Sequence, residues 1–120
     1  MAGLLAVAAV LLLPTLSAVS QTSAETYHNR ADQALQSFLL KFWSGGQQYL
    51  WNRYPNTNNQ LTGYWTYAHG WEAVLDGVER TGRQQYYGLI DTFYVGQDER
   101  GWLVGYYDDE CWMISALVHA

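Results

Sequence analysis

Three consecutive acids, Asp108, Asp109 and Glu110, follow Tyr106 and Tyr107 and precede an apolar stretch that contains Trp112. Paired carboxyls are the groups that cleave an acetal between two sugars. One stays ionised and attacks the anomeric carbon; the other is kept protonated by its charged neighbour and by burial, and donates to the leaving oxygen. In the retaining form of this chemistry the two carboxyls stand about 5–5.5 Å apart. Consecutive residues inside a helix diverge by about 100°, so a pair in mid-helix rarely serves one atom. At a helix start the first residue is not yet helical, and both side chains can reach one cleft. The same acids have a simpler explanation: carboxylates at a helix N-terminus cap free N–H groups and oppose the positive end of the dipole. Spacing alone does not separate the two readings.

The elements that must position these residues are helical. Thr22 and Glu25 have capping-box spacing before a run in which Tyr27, Ala31, Ala34, Leu35, Phe38 and Phe42 share one helix face. Gly45-Gly46 ends it. Residues 47–63 read as a long loop, broken by Tyr54-Pro55 and by Asn56, Asn58 and Asn59. Its Tyr49, Trp51 and Tyr54 stand among amides, which suits either a sugar site or rings packed onto the helices. A second helix is expected from about Thr66 to Thr81, with Ala68, Trp71, Leu75 and Val78 on one face and Gly82 as its stop. A third runs from about Arg83 to Val95 on a stripe of Tyr86, Leu89, Ile90 and Phe93. Trp102 to Gly105 suggests a brief extended piece, and a fourth helix begins near Asp108. Nothing alternates at period two for long enough to build a sheet. The fold class expected is all-α, as helical hairpins packed side by side.

The N-terminus reads as an export signal. Leu4 to Leu13 is almost wholly apolar, Pro14 breaks the run, and Ala18-Val19-Ser20 suits cleavage before Gln21. A membrane anchor needs about 20 apolar residues, more than this run holds. The expected organisation is a signal peptide over residues 1–20 and one domain over 21–120, secreted to the extracellular space or cell wall. No transmembrane span is expected after signal removal. The fourth helix meets no glycine, proline or cap before Ala120, which leads to the expectation of a longer working protein.

Composition excludes several classes. The 120-residue chain is 16% aromatic and 14% charged, with a net charge of -5 and no basic cluster. Nucleic acid is therefore not expected as a partner. Cys111 is the only cysteine and reads as a buried small apolar thiol. His28, His69 and His119 lack metal-ligand spacing, so no zinc site and no cofactor are expected. His69 reads as structural in the absence of a partner in sequence. Glu72 and Asp76 share a helix face, by default a solvated one. Trp43 and Trp65 bracket the loop and suit either core or platform. No glycine-rich nucleotide motif occurs.

Tyr107-Asp108-Asp109-Glu110-Cys111-Trp112 resembles the Y-D-D-x-x-W signature of glycoside hydrolase family 76, the α-1,6-mannanases. Trp71-Glu72-Ala73, Asp76, Arg80-Thr81-Gly82 and Tyr86 follow the order seen in that family, and the resemblance covers roughly residues 27 to 120. It implies an (α/α)6 barrel, a toroid that would be incomplete in this chain. It implies retaining, endo-type cleavage of α-1,6-linked mannan from microbial cell walls. Asp108 would be the nucleophile and Asp109 the general acid/base. Tyr107 and Trp112 match flanking positions, and Trp65 and Trp71 are further candidates for contact with the polysaccharide. Met113 stands where the family often has a second tryptophan. With most of the barrel absent, the chain alone is expected to be weak or inactive. The alternatives are a secreted, non-catalytic carbohydrate-binding or cell-wall protein, a wall-glycan transglycosylase of the same family, and a glycuronidase or sugar epimerase on a similar toroid. The adjacent aspartates argue against the last two enzymes.

Overall fold

The computed structural model describes residues 14–120, with side chains from residue 23 onward. The apolar run of the expected leader, residues 4–13, falls outside the described residues. The elements are α1 (Pro14–Phe42), β1 (Trp43–Ser44), β2 (Tyr49–Leu50), α2 (Tyr64–Thr81), α3 (Gln84–Asp98) and α4 (Tyr107–His119). The chain divides into two compact units, residues 1–31 and residues 32–120. None of the described helices is long and apolar enough to cross a membrane.

In the first unit, α1 passes through Thr22 and Glu25 without interruption. The capping-box spacing is thus a coincidence inside a helix. Tyr27 is 69% exposed, so the apolar stripe predicted for α1 does not extend this far toward its start.

The second unit holds the core. Its part of α1 buries Leu35, half-buries Phe38 and Phe42, and leaves Ala34 exposed. The long loop is partly ordered: β1 and β2 pair antiparallel with Trp43 opposite Leu50, and Trp51 bridges to Leu61. This small hairpin corrects the expectation of no sheet. Two-residue strands are too short to leave a period-two signature. Tyr49 enters the core and stacks on Tyr67 at 3.6 Å between ring centroids. Phe93 lies against Tyr67 on one side and Trp43 on the other, each at 4.8 Å.

α2 is the central element. It packs on α4, α3 and β2, and it buries Tyr67, Ala68, Gly70, Trp71, Val74, Leu75 and Gly77. It ends as the sequence dictates: Gly82 adopts φ 60° and its N–H bonds the Val78 carbonyl at 2.7 Å. α3 returns antiparallel, since Tyr86 lies beside Gly77 and the Phe93 carbonyl accepts from the Tyr67 hydroxyl. Near the end of α3, Gly96 touches the Gln48 carbonyl so closely that no side chain fits there. The Gln97 side chain accepts from Tyr49 and donates to the Gly101 carbonyl. These contacts clamp the hairpin under α3.

Candidate functional site

α4 runs parallel to α2. The evidence is a sequence of contacts rising along both helices: Tyr64 feels the charges of Glu110 and Asp109, His69 lies 4.6 Å from Trp112, and Glu72 bonds His119. The buried seam of α4 is Met113 and Ala116, one turn apart by helical spacing, and Cys111, expected to be buried, lies off that seam and is exposed. The residue that departs from the family signature, Met113, is thus a core residue.

The acids sit in the first turn of α4, which starts one residue before Asp108. Both aspartates are therefore helical, contrary to the expectation that the first would lie outside the helix. Their side chains leave the axis about 100° apart. Asp108 is exposed, and Asp109 is half-buried on the side of Tyr64. The three acids have separate fates. Glu110 Oε1 accepts from the N–H groups of Val104 and Gly105, both at 3.1 Å, and so fastens the preceding loop to the helix. No hydrogen bond or ion pair to a described residue engages Asp108 or Asp109. No side chain caps the start of α4, so capping hydrogen bonds account for none of the three acids.

Tyr64 holds this end together. Its hydroxyl donates to the Trp102 carbonyl at 2.8 Å. Burial first, then the charges of Glu110 and Asp109, push its phenol above the ordinary value. Residues 102–105 form bends and not a strand; Gly101 and Gly105 take φ 87° and 79°, and the Trp102 indole N–H donates to Asp98.

Beside the acids lies a face of rings. Trp112, one turn below Asp108, is 49% exposed and meets His69, which meets the edge of Trp65 at 5.6 Å. Trp65 is 51% exposed, and Tyr107 is 88% exposed. Of the aromatic candidates, Trp65, Tyr107 and Trp112 are open to a ligand. Trp71 is not: it is 1% exposed and belongs to the core, where its indole N–H finds no hydrogen-bond partner. Its place on the apolar stripe of α2 already indicated this.

His69 was read as structural from sequence, and the fold places it at the centre of the ring face. It also lines a cavity of about 320 Å³, with Phe38, Phe42, Trp51, Asn52 and Thr66. Of the loop aromatics, Trp51 thus borders open space beside an amide. Tyr49 is core, and Tyr54 packs its ring edge on Phe42 under Lys41. The ring face had no signal at His69 in sequence because Trp112, its partner across the face, lies on another helix.

The far ends of α2 and α4 carry a second polar cluster that local spacing did not reveal. The His119 ring bonds Glu72 through Nδ1 at 2.7 Å and Glu79 through Nε2 at 3.2 Å. The bond to Glu72 is the main cause that pushes the imidazole above its ordinary value; burial opposes it, and Glu79 adds to it.

Comparison with known proteins adds no assignment: the chain matches no family model, no curated protein and no solved structure.

Proposed function

We propose that this chain carries the acidic pair of a retaining glycoside hydrolase acting on α-1,6-linked mannan, exported to the cell exterior by its apolar N-terminus. The observation that carries the reading is the division of labour in the first turn of α4. Glu110 fastens the loop, which leaves Asp108 and Asp109 unengaged beside the exposed rings of Trp65, His69 and Trp112. Rings stack on the apolar face of a pyranose, while carboxyls flank its bond. In this proposal Asp108 attacks the anomeric carbon and the half-buried Asp109 donates to the leaving oxygen. The likeness of Tyr107 to Trp112 to the family 76 signature supports the linkage, with Tyr107 at the rim.

The helix order supports an (α/α)6 toroid. α2 and α4 are parallel neighbours joined through antiparallel α3, and repetition of that unit closes a ring of parallel inner helices. Four helices supply only part of such a ring, so turnover by this chain is expected to be weak or absent, and binding is the primary readout. Titration with α-1,6-linked mannotriose, followed by NMR, is expected to shift the signals of Trp65, His69 and Trp112. Trp112→Ala should abolish those shifts. Asp108→Asn should keep binding and helix content and remove any mannan hydrolysis. Shifts confined to other residues, tighter binding of uronic-acid oligomers, or hydrolysis retained by Asp108→Asn would each overturn the proposal.

A second reading, a secreted non-catalytic sugar-binding or cell-wall protein, is favoured by the divergence of the two aspartates. It predicts binding unchanged in Asp109→Ala and no product from mannan. Transfer of the glycosyl unit to another sugar, as in wall-glycan transglycosylation, would appear as lengthened oligosaccharides.

A further inference from the structure

We propose that His119, Glu79 and Asp76 form a binding site for a zinc-class divalent cation that ties α4 to α2. The ligand atoms of these three residues lie within 4.8 Å of one another. Asp76 and Glu79 are three residues apart on α2 and so project from one face, while His119 comes from the last turn of α4. Tetrahedral zinc holds its ligands at about 2.0–2.2 Å, which places neighbouring ligand atoms about 3.3 Å from each other. The 3.2 Å between His119 Nε2 and Glu79 Oε1 already matches that edge.

A separate observation points to a ligand. His119 Nδ1 is bonded to Glu72 at 2.7 Å, and both side chains are about three-quarters buried. A carboxylate on one ring nitrogen is the outer contact that fixes a metal-binding histidine: it sets the tautomer and aims the other nitrogen. Here Nε2 meets Glu79, and a carboxylate oxygen of Asp76 completes the group within 4.8 Å. Glu79 is 71% exposed, which leaves one side open for entry and for a solvent ligand. One imidazole with two carboxylates suits zinc better than calcium or magnesium, which take oxygen ligands. The cation would brace the two helices that carry the ring face and the acids, at the end opposite to them. The site stands independently of any reading of Asp108 and Asp109.

The test uses the full chain stripped of metal with a chelator. Zinc chloride is titrated calorimetrically, with cobalt(II) chloride as an optical probe. One saturable site is expected, with an upward shift of the thermal midpoint. His119→Gln and Glu79→Gln should each weaken zinc binding at least tenfold, and Glu72→Gln by about 10–100-fold, all with unchanged far-UV circular dichroism. Glu79 is exposed enough that its substitution does not threaten folding. Cys111→Ser should bind normally, and cobalt should show no thiolate charge-transfer band. No saturation up to millimolar zinc, undiminished binding by both His119→Gln and Glu79→Gln, or loss of binding in Cys111→Ser would overturn the proposal.

Discussion

Asp32 is the most heavily used carboxylate in the second unit, and replacing it by alanine tests how α1 is fastened to the α2–α3 turn. Asp32 is 7% exposed. Its Oδ1 accepts from the Tyr86 hydroxyl at 2.9 Å, and its Oδ2 accepts from Gln36 at 2.8 Å and from the Arg83 guanidinium. A bond from a buried hydroxyl to a charged acceptor contributes about 1.5–3 kcal/mol. The Arg83 side chain is 47% exposed, so solvent screening holds its share to about 1 kcal/mol or less. Gln36 is exposed and finds water instead. Asp32→Ala also leaves the hydroxyl of Tyr86, a residue 1% exposed, without its acceptor. That penalty is the same interaction counted from the other partner and is not added again. The expected loss is about 3 kcal/mol, which for a domain of this size lowers the thermal midpoint by roughly 12–24 °C. Urea unfolding followed by tryptophan fluorescence measures it, with an unchanged denaturant slope as the control. A double-mutant cycle with Tyr86→Phe should return a coupling of about 1.5–2 kcal/mol. A loss below about 1 kcal/mol, or equal losses in the wild-type and Tyr86→Phe backgrounds, refutes the reasoning.

Three further outcomes are expected. Gly96→Ala should destabilise by about 3 kcal/mol or more, because its methyl group would meet the Gln48 carbonyl and the Tyr67 hydroxyl, and backbone cannot step aside; a urea midpoint equal to wild type contradicts this. The chain should lose stability in alkali. Burial raises the Tyr49 phenol from 10.0 to about 12 despite the opposing charge of Arg100, so its contribution is complete below about pH 10 and lost between pH 10 and 12. That loss is about 2–3 kcal/mol, Tyr67 is shifted further in the same direction, and unfolding curves at pH 9 and 12 for wild type and Tyr49→Phe measure the difference. Glu110→Ala should release the N–H groups of Val104 and Gly105 and accelerate their hydrogen exchange at least severalfold, while Asp108→Ala leaves that exchange unchanged.

The helices were legible because their cause is local. The stripe of Ala68, Trp71, Leu75 and Val78 and the glycine at 82 define α2, and the structure differs only by two residues at its start. The α3 stripe is equally faithful, although the helix continues to Asp98. Where one local signal met another, sequence reading failed: a capping-box spacing lay inside α1, and the amide-rich loop hid a two-residue pairing. Such pairing is fixed by Tyr49 stacking on Tyr67 and by Gly96 receiving Gln48, contacts between distant segments.

The acids show the same boundary. Residue type and order alone placed Asp108, Asp109 and Glu110 at a helix start and gave them either a capping or a chemical role. Only the tertiary structure gave Glu110 to the preceding loop, left the helix start without a side-chain cap, turned Asp109 toward Tyr64, buried Trp71 and set His69 between Trp65 and Trp112. It also joined His119 to Glu72 and Glu79 across about 40 or more residues of chain. Helical periodicity is written in neighbours three and four apart. Which helix faces which is decided by how the buried rings of α2 pack, and that packing is not a property of any one segment.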